Sequence, residues 1–235
     1  MLQGDEILAE TGGAAILVLI LLGAVTIWGL YLYFHYKAER ERREAMAGVA
    51  RKFGLRFFPD RDRRLARHHS KLDELRKGSN RYAYNIMRGE MDGFPLELFD
   101  YHYEVSRSTG KSSSTQHYYL SVLICRLPRS FPELRIYREG VFEKLIQMIG
   151  FEDIHLESAE FSRRYTVRSK SKKFAYDFLH PRTIDYLLRS PDLNIEIEEN
   201  CLALVTAKRL EPEEFPPYLN HLLTLRKLMP DYLFT

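Results

Sequence analysis

Hydrophobic residues are concentrated in one uninterrupted run near the start of the chain. From Ala14 to Phe34 no residue is charged. A helix of this length, about 21 residues at ~1.5 Å each, reaches across roughly 30 Å of hydrocarbon. The run therefore predicts a transmembrane helix over 14–36, preceded by a short extracytoplasmic N-terminus at 1–13. A cleaved signal peptide would have a basic start and a shorter apolar region, and both are missing.

The charged residues on either side of this run predict its orientation. Residues 1–13 contain acidic side chains and no lysine or arginine, whereas basic residues follow the run directly: Lys37, Arg40, Arg42 and Arg43. Basic flanks stay on the cytoplasmic side. Aromatic rings, which favour the headgroup layer, cluster at the same end: Trp28, Tyr31, Tyr33 and Tyr36. We therefore expect a single-pass protein of the cell membrane, with its N-terminus outside and its C-terminal domain in the cytoplasm.

Residues 37–53 contain strong helix formers and no helix breaker before Gly54, which predicts a basic juxtamembrane helix that continues the membrane helix. Basic side chains close to an anionic leaflet gain ~1 kcal/mol each, so anionic lipid headgroups are a candidate partner. Because Glu39, Glu41 and Glu44 interleave with the basic residues, a solvated helix face is the competing interpretation.

The rest of the chain, 54–235, alternates short strand and helix patterns. Residues 82–127 predict a three-stranded meander with a turn at Asp92-Gly93 and a polar loop at 107–116. Further expected elements are a helix over 141–150, one or two strands with an irregular entry over 151–169, and two helices over 171–190. A hairpin turning at Glu199-Asn200 and a closing helix starting near Pro217 follow. This order lacks the βαβ rhythm, so we predict an α+β fold with an antiparallel β-meander and packed helices, and a possible subdivision near 130–150.

Composition narrows the chemistry. Hydrophobic residues make up 45% of the chain and aromatic residues 13%, which is enough for a packed core. Cys125 and Cys201 stand alone in apolar runs, without the C-x-x-C spacing of a zinc site, and are expected to be reduced core residues. His68 and His69 are adjacent, and neighbouring positions on a helix do not share a face, so we expect no metal there.

One face of the meander carries the candidate chemistry. If Val105 pairs with Gln116, side chains of alternate positions share a polar face: Asp100, His102, Glu104, His117, Tyr119 and Ser121. Imidazole and carboxylate groups suit a divalent metal or acid–base chemistry. We therefore take Asp100, His102 and His117 as candidate metal ligands. The alternative is that this is the solvent-facing side of an antiparallel hairpin.

Four segments resemble a widespread bacterial family of single-pass membrane-anchored proteins: FGLRFFPD, GEMDGFPLELFDYHY, PELRIYREG and GFEDIHLESAEFSRRYTVRS. The resemblance extends from about residue 50 to the end of the chain. It implies a bacterial protein with a discrete cytoplasmic domain of unknown function, and it carries no catalytic or binding residue.

Signatures of common enzyme classes are missing from the sequence. There is no P-loop, no dinucleotide-binding glycine pattern, no H-E-x-x-H and no G-x-S-x-G. Without these signatures we expect no cofactor. No recognised nucleic-acid-binding motif is present either, so we expect no nucleic-acid partner. The sequence favours a membrane-anchored cytoplasmic binding or scaffold module whose protein partner is in or at the membrane. Two alternatives stay open: a metal-dependent or enzymatic domain that uses the polar meander face, and an accessory subunit of a membrane complex.

Overall fold

A long helix opens the chain, and an antiparallel sheet organises the residues after it. The computed structural model describes residues 2–108, 110, 113–138, 152–154, 156 and 158–235, and in the first helix it describes side chains from Leu21 onward. The chain falls into two compact units that divide between Ala45 and Met46.

Helix α1 runs from Leu2 to Lys52 without a break, which confirms the predicted continuation of the first helix through the basic flank. Within its apolar part, the Thr26 hydroxyl donates to the Leu22 carbonyl oxygen at 2.8 Å and so satisfies its own hydrogen-bonding demand. Gly54 follows two residues after the end of the helix, and its positive φ of 67° lets the chain reverse at little steric cost.

The predicted membrane span overlaps the described side chains only in part. Residues 14–20 of that span lie outside the described side chains. Within the described part of the chain, no helix is both long enough and apolar enough to cross a membrane.

In the part of the chain that the structure describes, seven strands form one sheet in the order β1–β2–β3–β4–β6–β5, and β7 also pairs with β4. All pairings between these strands are antiparallel. Together with the helices that cover it, this sheet confirms the α+β class. The strands are β1 (Arg56–Phe58), β2 (Ser79–Met91), β3 (Phe94–Ser108), β4 (Ser113–Arg138), β5 (Glu152–Asp153), β6 (Tyr165–Ser169) and β7 (Ile195–Val205).

Helices connect and cover these strands, and three of those described begin at a side-chain N-cap. The helices are α2 (Arg63–His68), α3 (Asp73–Arg76), α4 (Ala159–Arg164), α5 (Lys172–Phe178), α6 (Pro181–Arg189) and α7 (Phe215–Leu228). Asp62 accepts hydrogen bonds from two backbone N–H groups of the first turn of α2, and the Ser171 side chain caps α5 through one such bond. Pro181 opens α6 at a position that needs no N–H donor.

Both faces of the sheet are apolar at its centre, because neighbouring residues of a strand point to opposite sides. Leu98 and Leu123 pair across β3 and β4 and belong to the larger core, which also contains residues of α5 and α7. One position further along, Phe99 and Val122 belong to the second core, which α2 and α3 cover. The sheet therefore lies between two layers of helix.

The meander prediction is confirmed, and its register is the predicted one: Val105 pairs with Gln116. The strands are longer than expected. Pairing of β3 with β4 continues to Ser108 and Ser113, so most of the predicted loop at 107–116 is strand.

Other element predictions need correction. Residues 195–205 form one strand instead of a hairpin. Glu199 has a φ of 50°, but the residues on both sides of it pair with β4, so this position is a bulge and not a turn. Part of the predicted strand region at 151–169 is the helix α4. The predicted helix at 141–150 lies outside the described residues.

Candidate functional site

The β3–β4 hairpin brings two histidines and a glutamate together. Glu104 pairs directly with His117, and His102 lies two residues earlier on the same strand face. The Nε2 atom of His102 is 3.0 Å from Nδ1 of His117. Oε1 of Glu104 is 3.4 Å from His117 Nδ1 and 3.9 Å from His102 Nε2. Three possible ligand atoms thus lie within 4 Å of one another, and we call these three residues the histidine cluster.

Asn80 supports this cluster from β2. Its backbone carbonyl oxygen accepts a hydrogen bond from His102 Nδ1 at 3.2 Å, and its side-chain Nδ2 donates to Glu104 Oε1 at 2.6 Å. The residue can reach both because the β2–β3 register shifts between Ser79 and Tyr82, which is a β-bulge, and Asn80 has a φ of 46° there. Asparagine tolerates this left-handed conformation better than most residues.

The exposure of the three side chains increases from His102 through Glu104 to His117. His102 is 2% exposed and lies between the rings of Tyr82 and Tyr119, at centroid distances of 4.5 and 4.8 Å. Glu104 is 19% exposed and His117 51%. Burial lowers the pKa of His102 below its usual value, and the accepting carbonyl of Asn80 opposes this shift only in part. His102 is therefore neutral at physiological pH, which is the form that binds metals.

Asp100 does not belong to this group, which corrects its place among the candidate ligands. Its carboxylate is fully buried and accepts hydrogen bonds from Asn85 Nδ2 at 3.0 Å and Ser121 Oγ at 2.8 Å. The Ser121 hydroxyl in turn accepts from the backbone N–H of Leu210. A segment after β7 therefore covers this end of the polar face, so only the end near His117 opens to solvent.

A second polar cluster lies on the other face of the sheet. The carboxylate of Glu97 contacts Nε2 of His69 at 2.7 Å, Nε of Arg88 at 2.9 Å and a guanidinium nitrogen of Arg126 at 3.5 Å. Burial by itself raises the pKa of Glu97, but the hydrogen bond and charge of His69 and the charges of the two arginines outweigh it and hold that pKa at about 2. This ion-pair cluster was missed in the sequence because its members are far apart along the chain.

Cys201 lies next to the second cluster, and Cys201, His69 and Glu97 follow one another as the nucleophile, base and acid of a catalytic triad do. Its Sγ atom is 4.0 Å from Nδ1 of His69, whose other ring nitrogen contacts Glu97. Nucleophilic cysteines have lowered pKa values. Burial instead raises the pKa of the Cys201 thiol, and it also lowers the pKa of His69. The arrangement therefore holds a neutral thiol next to a neutral imidazole, which suits packing better than catalysis. As predicted, both cysteines are buried and free.

An open apolar groove of about 490 Å³ lies between α5 and α6. Tyr176, 49% exposed, stands at its edge, and Ser158, His180 and Asp185 add polar groups. Pockets of this size with mostly apolar walls and a few polar groups are typical binding sites. The apolar lining consists of Leu156, Leu179, Pro181, Ile184 and Leu188.

The residues predicted to face the membrane lie along α1. The four aromatic side chains are each 60–70% exposed: Trp28, Tyr31, Tyr33 and Tyr36. Lys37 and Arg40 are exposed, and each forms an ion pair one turn along the helix, with Glu41 and Glu44 respectively. Arg43 is also exposed, whereas Arg42 is buried. Such exposed pairs are weak in water, so they leave the basic residues available to other anions.

No protein-family profile and no curated protein sequence matches the chain. A solved structure does: the crystal structure of the mycobacterial trehalose monomycolate transport factor A is similar with a TM-score of 0.61. The match has 12% sequence identity and covers 81% of this chain and 97% of that chain. This likeness shows a shared fold. The family resemblance seen in the sequence stays a prediction.

Proposed function

We propose that this chain is a membrane-anchored binding module that holds a protein partner in or at the membrane. The groove between α5 and α6 is the observation that carries this proposal. Protein interfaces combine an apolar, well-packed centre with a polar rim. The lining of the groove combines both kinds of group: leucine, isoleucine and proline side chains together with His180, Asp185 and Tyr176.

The apolar part of α1 supports the anchoring role. Its large apolar side chains from Leu21 to Phe34 are 45–70% exposed, on every side of the helix. Apolar surface in water costs about 25 cal/mol per Å², so a helix that exposes apolar residues all round requires a nonpolar environment. We propose that 14–36 is a membrane span, with Lys37, Arg40 and Arg43 at the cytoplasmic headgroups and the domain from residue 54 onward in the cytoplasm.

The structural neighbour suggests the kind of complex. That protein is named as a transport factor for trehalose monomycolate. A role as an accessory subunit of a membrane complex is the form of binding function that we propose for this chain. The neutral, buried thiol of Cys201 agrees with a binding role, because it lacks the activation that a nucleophile needs.

Site-specific photocrosslinking in cells that naturally carry the protein tests the groove. A photoreactive amino acid in place of Tyr176 should crosslink to one defined membrane protein, and Ile184→Glu should abolish that product because it places a charge on the apolar floor. Tyr119, which is 45% exposed on the β3–β4 hairpin, provides a control position. Equal products from both positions, or a product that survives Ile184→Glu in a normally folded chain, would refute the proposal.

A reporter fusion tests the anchor separately. An enzyme that is active only in the cytoplasm, fused after Thr235, should be active and should stay with the membrane fraction after washing with high salt. Release by salt would contradict a membrane span. If instead only a reporter that works outside the cytoplasm is active at this position, the orientation is wrong.

A further inference from the structure

We propose that the histidine cluster binds a divalent transition-metal ion of the zinc type, with His102, Glu104 and His117 as ligands. This site is independent of the groove and of the proposed binding role. It lies within one hairpin of the unit 46–235, and β2 supports it through Asn80.

The separations of the three ligand atoms fit one ion. Zinc binds nitrogen and oxygen ligands at about 2.0–2.2 Å with tetrahedral angles, which places neighbouring ligand atoms about 3.4 Å apart. The three distances in the cluster are 3.0, 3.4 and 3.9 Å. A single ion can therefore contact all three atoms after shifts of roughly a few tenths of an ångström, well within the freedom of the exposed His117 side chain.

The hydrogen bonds of the cluster orient His102 as a ligand. A backbone carbonyl oxygen can only accept, so the contact with Asn80 places a proton of His102 on Nδ1. Its Nε2 then accepts the 3.0 Å hydrogen bond from His117 Nδ1 in the metal-free chain, and zinc replaces that proton and takes the lone pairs of both nitrogens. Metal-binding histidines typically donate their second ring N–H to a carbonyl or carboxylate in this way.

Asn80 also orients the carboxylate. The donation from its Nδ2 holds Oε1 of Glu104, the same oxygen that lies nearest to both imidazoles. The side-chain oxygen of Asn80 accepts from Arg63 at 3.1 Å, which fixes the amide in this orientation. One residue at a β-bulge thus positions two of the three ligands, and we assign Asn80 as a positioning residue.

The ligand types select the metal. Imidazole nitrogens favour zinc, iron, nickel or copper, whereas magnesium and calcium require mostly oxygen ligands. Two histidines with one glutamate also occur in catalytic zinc sites, in which a fourth position holds water or another exchangeable ligand. His117 is 51% exposed, so the solvent side of this site is open for such a ligand.

Calorimetric titration of the full chain in detergent micelles, after treatment with a chelator, tests the site with ZnCl₂ as the probe. We expect one equivalent of Zn²⁺ to bind, and excess Mg²⁺ not to compete. Co²⁺ should give the visible absorption of a four-coordinate site. His117→Ala and His102→Ala should each weaken zinc binding by at least ~100-fold, since loss of a ligand exceeds the ~10–100-fold effect of losing a supporting residue.

Matched variants keep the test decisive. His68→Ala removes an exposed histidine outside the cluster and should leave the zinc affinity unchanged. His117 is exposed, so its replacement should leave the metal-free melting temperature unchanged even if His102→Ala disturbs the fold. If the wild-type chain binds no zinc, or if His117→Ala binds it equally well, the three residues form only a hydrogen-bonded cluster and the proposal fails.

Asn80→Gly tests the positioning role. Glycine keeps the left-handed backbone and the carbonyl contact to His102 but removes the amide that holds Glu104. We expect ~10-fold weaker zinc binding and an altered Co²⁺ spectrum. An affinity and a spectrum equal to those of the wild type would show that the amide does not position the ligand.

Discussion

Glu97 gives the sharpest test of the electrostatics of the sheet. Its side chain is 16% exposed, and His69, Arg88 and Arg126 all contact its carboxylate. Glu97→Gln keeps the shape and removes the charge. The variant leaves two guanidinium groups without their carboxylate, and the loss of one member of a buried ion pair is strongly destabilising.

The pKa of Glu97 gives the magnitude and the sign. It falls from 4.5 to about 2 on folding, and a shift of ~2.5 units corresponds to about 3 kcal/mol of stability. A lowered carboxyl pKa stabilises the fold fully above pH 4.5, and this contribution is lost as the pH falls from 4.5 towards 2. The two arginines remain charged over this range, and the hydrogen bond and charge of His69 add to their effect as the imidazole becomes protonated at falling pH.

Denaturation by urea, followed by circular dichroism of the full chain in detergent micelles, measures this effect. Glu97→Gln should lower the free energy of unfolding by about 3 kcal/mol at pH 7, and the difference from wild type should shrink steadily below pH 4.5. Glu199→Gln is the control, because it removes the same charge from an exposed ion pair with Lys71. A Glu97→Gln penalty that is equal at pH 7 and pH 3, or no larger than that of Glu199→Gln, would refute the assignment.

Two further predictions concern a carboxyl pair and a backbone contact. Burial and the neighbouring Glu133 raise the pKa of Glu198 to about 8, so the fold should lose stability as the pH rises from 4.5 through about 8. Glu198→Gln should abolish that loss of stability. If urea denaturation of the variant shows the same pH profile as the wild type, the prediction is wrong. Gly78 has a φ of 62°, and a Cβ there would clash with the backbone carbonyl oxygen of Glu104 on β3. Gly78→Ala should therefore lower the melting temperature more than Gly93→Ala, which has similar strain but open space, and equal shifts would contradict the contact.

The meander register could be predicted because local signals determine it. The Asp92-Gly93 turn aligns β2 with β3, and the period of two assigns each side chain of β3 to a face. This was sufficient to bring His102 and His117 together. It was not sufficient to separate Asp100 from them, because the segment that covers Asp100 follows β7, about a hundred residues later, and reaches it through Leu210 and Ser121.

Strand ends were harder to predict than strand pairing. Pro128 and Pro132 indicate the end of a strand, yet β4 continues through both. The ladder with β7 shifts its register between Arg126 and Phe131 and again between Phe131 and Leu134. A proline costs little where no ladder hydrogen bond requires its N–H, so a bulged region accepts prolines that a regular central strand would exclude.

The charged clusters lay beyond sequence reasoning for a different reason. The pattern of adjacent histidines argues against a role for His69, but His69 lies just after α2 has ended, where the rule about helix faces does not apply. Its partner Glu97 is 28 residues away. The decisive contrast is between Glu97 and Glu198: burial raises the pKa of both, yet His69 and two arginines hold one carboxylate charged, while Glu133 helps to keep the other protonated. The sign of the charges next to a buried carboxyl group therefore determines whether it is ionised. Those charges come close to it only after the strands have paired, so the sequence alone does not show them.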